Sequence, residues 1–107
     1  SWDDSVEIVG EGATEFTFLV TDKSGASKTF TVKTDKKTVG EALLDAKLIE
    51  GETSQYGLYV KKVDGIVADY DIDGTYWAFY VNGEMASAGV DSTNVVANGC
   101  YEFRVSK

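Results

Sequence analysis

Three acidic residues alternate along one short segment, a pattern that could bind a cation. Residues 69–74 read DYDIDG and resemble the start of an EF-hand calcium loop, where carboxylates at alternate positions precede a glycine that allows a sharp turn. The twelfth position of such a loop should be a bidentate Glu, but here it is Tyr80. The candidate calcium ligands are Asp69, Asp71 and Asp73, with Asp91 as a more distant one. The alternative is a solvated acidic loop that leads into a hairpin.

Aromatic side chains at residues 76–80 could bind a flat ligand or a partner surface. The segment reads YWAFY, so both faces of the predicted strand are aromatic, although a strand with one buried face needs only one such side. Either Trp77 faces the core, or Tyr76 and Tyr80 do. The alternative to ligand binding is that loops bury the second face of this strand. The candidate ligand-binding residues are Tyr70, Tyr76, Trp77 and Tyr80, which Tyr56 and Tyr59 could extend.

The residue types argue against catalysis. Histidine is absent, which removes the usual general base at neutral pH and the commonest metal ligand. Cys100 is the only cysteine, so the chain forms no internal disulfide, and we predict that Cys100 is a small buried apolar residue. Carboxylates are numerous enough for a glycosidase pair, but a chain of 107 residues seldom builds the deep cleft that such a pair needs. We predict that the protein is not an enzyme.

The charge of the chain excludes two classes of partner. With 18 acidic and 10 basic residues, the net charge is -8, which repels nucleic acids and anionic lipid surfaces. The alternative explanation of this acidity is solubility alone, because a net charge keeps a protein in solution. No stretch approaches the roughly 20 apolar residues of a membrane span, so we predict no direct membrane insertion by this segment.

The pattern along the chain predicts hairpins around a single helix. Thr38 and Glu41 form a capping box, and apolar spacing predicts a helix over about residues 39–48, with Gly51 at its end. The dipeptides Asp64-Gly65 and Asn82-Gly83 favour type I′ hairpin turns. Alternating apolar residues predict strands at 15–21, 27–33, 58–63, 66–68, 76–81, 85–87 and 100–105.

These elements predict an α+β domain in which a β-grasp-like mixed sheet, built from hairpins, carries one α-helix on one face. Residues 1–12 are predicted to be a leader or a weak edge strand near residues 6–9, and residues 13–107 a single β-grasp-like domain.

Several motifs resemble a known bacterial family. Residues 37–44 read KTVGEALL and residues 74–83 read GTYWAFYVNG. They are followed by Gly89, Val90, Val95, Gly99, Tyr101 and Phe103. In these features the chain, over about residues 15–107, resembles a bacterial domain-of-unknown-function family that is similar to the C-terminal domain of the cobalamin carriers transcobalamin and intrinsic factor.

The resemblance implies an extracellular or cell-envelope domain, anchored through a segment absent from this chain. We therefore expect a noncatalytic extracytoplasmic module of a bacterial surface protein or lipoprotein, which binds a small-molecule ligand or a protein partner. One alternative is a structural or adhesion spacer of a larger surface protein. Another, implied by the resemblance alone, is a cobalamin or corrinoid-binding domain that needs a helical partner domain.

Overall fold

The computed structural model describes residues 5–107, which form two β-sheets and two short α-helices. The strands are β1 (Val6–Gly10), β2 (Thr14–Thr21), β3 (Ser27–Thr34), β4 (Ile49–Ser54), β5 (Gly57–Val63), β6 (Ile66–Val67), β7 (Tyr76–Val81), β8 (Glu84–Met85) and β9 (Cys100–Ser106). The helices are α1 (Val39–Asp45) and α2 (Tyr70–Asp73), with a 3₁₀ turn at Val90–Ser92.

The larger sheet is mixed and has six strands in the order β1-β3-β2-β9-β7-β8. The β1–β3 and β2–β9 pairs are parallel, and the remaining pairs are antiparallel. A second sheet has the order β4-β5-β6. This architecture confirms the α+β class, while the closer assignment to a β-grasp fold stays a prediction.

One face of the six-stranded sheet carries the hydrophobic core. Phe18 and Phe30 stack at 6.0 Å between ring centroids, and Phe103 packs edge-on against Phe18 at 6.2 Å. Helix α1 buries Val39, Ala42 and Leu43 in the same cluster, which also includes Val60 and Val63 of the small sheet. The other face of the large sheet, called the outer face below, carries residues such as Thr17, Thr31 and Arg104, which remain partly exposed.

Helix α1 starts where the sequence predicted and ends earlier. The Thr38 hydroxyl accepts the backbone N–H of Glu41 at 3.2 Å, as an N-cap residue does. At the other end, Lys47 adopts a left-handed φ of 60°, and the N–H groups of Lys47 and Leu48 donate to the carbonyls of Leu44 and Leu43. These two bonds form a Schellman motif that stops the helix at Asp45. The predicted end at residue 48 is therefore wrong.

Gly51 does not terminate the helix, as the sequence had suggested, but lies within β4 at a bulge in the β4–β5 pair. A Cβ at this position would lie 2.1 Å from the Tyr59 carbonyl oxygen, so the bulge requires glycine. Strand β4 itself was not predicted.

Both predicted hairpin turns are present. Asp64 and Gly65 have φ values of 48° and 80°, and Asn82 and Gly83 have φ values of 50° and 84°, as a type I′ turn requires. The strand after Asn82-Gly83 is β8, Glu84–Met85, rather than residues 85–87.

The prediction of a single helix is also wrong, because the acidic segment folds as another helix, α2. At the N-terminal end, residues 1–4 of the predicted leader lie outside the described residues. Residues 6–10 form β1, an edge strand of the large sheet. Within residues 5–107, no helix is long and apolar enough to cross a membrane.

Candidate functional site

The aromatic strand β7 divides its side chains between the two faces of the large sheet. Trp77 pairs with Val105 and faces the core, where it is 6% exposed and its indole N–H donates to the Ile66 carbonyl at 3.1 Å. Tyr76 and Tyr80 lie on the outer face and are half-buried. Of the two orientations left open by the sequence, the structure has Trp77 inside. Trp77 is thus a core residue that no external ligand reaches in this conformation, which corrects its place among the candidate binding residues.

Tyr80 belongs to a polar network on the outer face. The guanidinium carbon of Arg104 lies 4.1 Å from the centroid of the Tyr80 ring. Arg104 Nε donates to Glu102 at 2.8 Å, and the Thr21 hydroxyl donates to the same carboxylate oxygen at 2.6 Å. The Glu102 bond raises the pKa of Arg104. This network links neighbouring strands β2, β9 and β7.

The other predicted tyrosines are not gathered with Tyr80. Tyr70 is 60% exposed on helix α2, and within the described residues no ring contact joins it to Tyr76 or Tyr80. Tyr56 is exposed in the turn between β4 and β5, and Tyr59 stacks with the Lys61 ammonium at 5.7 Å. Among residues 5–107, no ring contact joins these tyrosines into one platform with Tyr80, and their part in ligand binding stays a prediction.

The acidic segment is a capped helical turn instead of a calcium loop. Asp69 is the N-cap of α2 and accepts the Asp71 N–H at 3.0 Å, while Gly74 ends the helix in the left-handed conformation. Asp73 accepts the Thr75 N–H at 3.0 Å and pairs with Lys23 at 2.6 Å. The Lys23 hydrogen bond, followed by those from Thr75, holds the pKa of Asp73 well below its usual value.

These bonds occupy the carboxylates of Asp69 and Asp73, two of the three that were predicted to bind a metal. In residues 5–107, no three His, Cys, Asp or Glu side chains converge in a way that could hold a metal ion. Asp91, the proposed distant ligand, instead accepts the Leu58 N–H at 3.2 Å. In the structure of residues 5–107, Asp69, Asp71 and Asp73 do not converge on a metal site, and calcium binding by them stays a prediction.

A groove beside the β7–β8 hairpin was missed from the sequence. Its volume is about 710 Å³. It is lined by Val81, Asn82, Glu84, Met85, Ala86, Ser87, Ala88, Ser92 and Thr93. Met85 is 73% exposed at its edge. The Asn82-Gly83 turn and the small polar residues after it were the available signal, but their spatial closeness depends on the path of residues 86–93.

The two walls of the groove are held by different contacts. On the hairpin side, the Asn82 side-chain oxygen accepts the Cys100 N–H at 2.9 Å, which fixes the orientation of its amide. On the other side, Val90 is buried in the core, and the Val39 N–H donates to the Thr93 carbonyl at 2.8 Å. A Cβ on Gly40 would lie 2.8 Å from the Asp91 Cα, so helix α1 and the 3₁₀ turn are in close contact. The groove is thus an open depression between a hairpin and an anchored loop, and six of its nine lining residues are exposed.

The lining of the groove is polar and weakly acidic. Hydroxyl groups come from Ser87, Ser92 and Thr93, although the Thr93 hydroxyl already donates to the Gly89 carbonyl. Among the lining residues of the described chain, Glu84 is the one with a charge. Such a lining favours a neutral or cationic ligand with hydrogen-bonding groups and disfavours an anion.

Cys100 lies next to this region without contributing a reactive group. It is half-buried, less than the full burial predicted, and burial raises the pKa of its thiol. The thiol form therefore prevails at neutral pH.

Comparison with known proteins identifies the family. Residues 36–103, more than half of the chain, match the model described as Domain of unknown function (DUF4430). The chain belongs to this family. The resemblance predicted from the sequence is confirmed. No curated protein matches this DUF4430 chain.

Solved structures also resemble the DUF4430 domain, among them two that are named for what they bind. A protein from Ruminococcus gnavus, described as a candidate metal-binding protein, is 28% identical with a TM-score of 0.83, and the match covers 89% of this chain and 98% of that one. Haptocorrin in complex with Cbi (cobinamide) is 24% identical with a TM-score of 0.63, over 88% of this chain and 25% of that one. The second likeness shows a shared fold, with this domain spanning a quarter of haptocorrin. Both neighbours are described by what they bind.

Proposed function

We propose that this domain is a noncatalytic, extracytoplasmic binding module that takes a small ligand in the groove between the β7–β8 hairpin and residues 86–93. The observation that carries the proposal is the groove itself, about 710 Å³ in volume and walled by segments that are fixed on both sides. Small-molecule sites are concave and combine apolar contact with a few polar groups, and this open groove offers both kinds of contact. The binding descriptions of both structural neighbours support a binding role over a catalytic one.

The lining defines the class of ligand. The hydroxyls of Ser87 and Ser92 and the amide of Asn82 offer hydrogen bonds, while Met85 and Val81 offer apolar contact. Methionine adapts to irregular ligand shapes because its side chain is flexible and polarisable. The ligand is a neutral or cationic molecule with both apolar and hydrogen-bonding groups.

Retention of small molecules by the immobilised domain tests this function. The probe is the small-molecule fraction of bacterial culture medium, and bound compounds are eluted and identified by mass spectrometry. Ala88→Trp fills the groove, because Ala88 is an exposed lining residue. Ala26→Trp is the matched control, since it adds the same ring in the exposed turn between β2 and β3.

Wild type and Ala26→Trp are expected to retain the same compounds, which Ala88→Trp loses. If all three proteins retain the same compounds, the groove is not the site. If none retains any compound, the domain is better explained as a structural or adhesion spacer of a larger surface protein.

A second candidate is capture of a corrinoid together with a helical partner domain. The observation that favours it is the fold shared with haptocorrin, of which this domain spans 25%, so that the rest of a carrier could supply the other part of the site. Titration of the domain with cobinamide, followed by visible absorbance, is expected to give a weak, saturable change that Ala88→Trp abolishes. No change at high cobinamide concentration would remove this candidate and leave the first one standing.

The metal-binding description of the Ruminococcus gnavus protein is not transferred to this chain. Of the carboxylates that were expected to bind calcium, Asp69 caps helix α2 and Asp73 pairs with Lys23, and within residues 5–107 no three such side chains converge on a metal site.

A further inference from the structure

Arg104 on the outer face is held in place by two neighbours at once. Its Nε donates to Glu102 Oε2 at 2.8 Å, and its guanidinium carbon lies 4.1 Å from the centroid of the Tyr80 ring. Glu102 is only 8% exposed and is fixed in turn by the Thr21 hydroxyl at 2.6 Å. The hydrogen bond sets the rotation of the guanidinium group, and the ring supports its plane.

The Arg104 side chain is 40% exposed, so a ligand can reach its guanidinium group from solvent. Its Nε–H is taken by Glu102, and a side-chain hydrogen bond with Tyr80 also raises its pKa. A guanidinium group whose Nε is occupied still presents its two Nη groups as a fork that matches two oxygen atoms of one ligand. Because the side chain is already ordered, binding at this fork costs less rotamer entropy than binding at a free surface arginine.

We propose that Arg104 and Tyr80 form a binding site for a carboxylate group, held end-on by the two Nη groups of Arg104. Neither residue lines the hairpin groove, so this site is independent of the function proposed above. A protein carboxylate, such as an acidic side chain or a chain terminus, and a small carboxylic acid share this chemistry.

The surroundings favour a carboxylate over a phosphate. The protein has a net charge of -8, and the Glu102 carboxylate lies beside the fork. The repulsion from these charges is greater for a doubly charged phosphate than for a singly charged carboxylate. Arg104 is also the only arginine in the sequence, which makes the outer face the one place where a guanidinium fork can form.

The neighbouring side chains suit a carboxylate that is attached to an apolar or aromatic body. The strand register puts Ala78 and Thr21 beside Arg104, and Tyr76 and Tyr80 on either side of Ala78 along β7. Tyrosine and arginine are the residue types that most often anchor interfaces, because they combine apolar area with hydrogen bonding. Benzoate is therefore a suitable probe.

The single arginine provides a direct readout by NMR. In ¹H–¹⁵N spectra the Arg104 Nε–H group gives one resonance, which is followed during titration with sodium benzoate at constant ionic strength. Saturable shifts are expected at this resonance and at the amides of Ala78 and Tyr80. Benzamide, which has the same ring without the charge, is expected to leave the Arg104 resonance unchanged.

Two variants separate a built site from simple charge attraction. Arg104→Lys keeps the charge and removes the fork, and Tyr80→Leu removes the stacked ring without changing the charge. Each is expected to weaken benzoate binding, the first by about tenfold, while the other amide resonances show that the fold is retained. Because Arg104→Lys lacks the Nε resonance, its binding is read from the Ala78 and Tyr80 amides.

Three results would overturn the proposal. Benzoate binding that is equal in wild type and both variants would mean nonspecific charge attraction. Equal shifts with benzamide would mean that the carboxylate is not recognised. Tighter binding of inorganic phosphate at the same resonances would assign the fork to phosphate.

Discussion

The two faces of the six-stranded sheet are built from the same strands and have opposite chemistry. On the core face, Phe16, Phe18 and Val20 of β2 are buried, whereas the residues between them, Thr17 and Leu19, are only half-buried on the outer face. On β7 the same alternation buries Trp77 and leaves Tyr80 to contact Arg104. The core face therefore stabilises the domain, whereas the outer face leaves polar and aromatic side chains partly exposed, and our proposed binding sites lie there and at the hairpin edge.

Truncation of a core-face aromatic gives the largest expected effect. Phe18→Ala removes a side chain that packs against Phe30 and Phe103, and such a change costs about 3–5 kcal/mol. Small domains have only about 5–15 kcal/mol of stability in total, so urea denaturation should show a large loss. Leu19→Ala, its neighbour on the outer face, should cost about 1 kcal/mol. Equal losses of stability in Phe18→Ala and Leu19→Ala would contradict the difference between the core face and the outer face.

The next effect concerns the aromatic strand itself. Trp77→Phe leaves the Ile66 carbonyl without its donor and creates a cavity, so the free energy of unfolding should fall by about 1–3 kcal/mol. Tyr76→Phe, one residue away on the outer face, should change it by less than about 0.5 kcal/mol. Thermal unfolding followed by circular dichroism measures both, and a neutral Trp77→Phe would argue against its structural role.

The helix that covers the core face gives a smaller effect. Thr38→Ala removes the hydroxyl that caps α1, with an expected loss of about 1 kcal/mol in the free energy of unfolding. Thr38→Ser retains the hydroxyl and should keep most of that stability. A loss as large in Thr38→Ser as in Thr38→Ala would show that the methyl group matters more than the cap.

The smallest expected effect lies on the surface, at the Lys23–Asp73 ion pair. Since the pKa of Asp73 is lower in the folded state than its usual value of 3.8, the pair stabilises the fold above that pH and loses its contribution as the pH falls further. Asp73→Asn should therefore make the loss of stability in acid less steep. Asp71→Asn is the control, since within residues 5–107 the Asp71 side chain makes no hydrogen bond or ion pair. Identical acid profiles for both variants would exclude the ion pair as the cause, and salt should reduce its effect.

The sequence predicted those parts of the fold that depend on short-range patterns. The Thr38 cap and the two Gly-containing turns follow from residues close to one another, and all three are present. The helix end was wrong because Lys47 occupies the left-handed position at which glycine is usual. Strand β4 was missed because five of its six residues are exposed and it lacks an alternating apolar pattern.

The candidate sites were less predictable, because they depend on contacts between distant segments. The pattern of Asp69, Asp71 and Asp73 suggested calcium, but the Asp73 carboxylate is paired with Lys23, fifty residues away in sequence. Similarly, because both faces of β7 are aromatic, the sequence did not show which face of this strand packs against the core. The groove requires residues 86–93 to be pinned against α1, and no local motif encodes that contact.

The central claim is that a small ligand occupies the groove beside the β7–β8 hairpin, and Met85 provides the most direct test. Met85 is the only methionine in the sequence and is 73% exposed at the groove, so a ¹³C-methyl-methionine label gives one resonance from the proposed site. Compounds retained by the domain are expected to shift this resonance in wild type and in Ala26→Trp, with little or no shift in Ala88→Trp. A Met85 resonance that stays fixed while those compounds bind elsewhere on the domain would contradict the account.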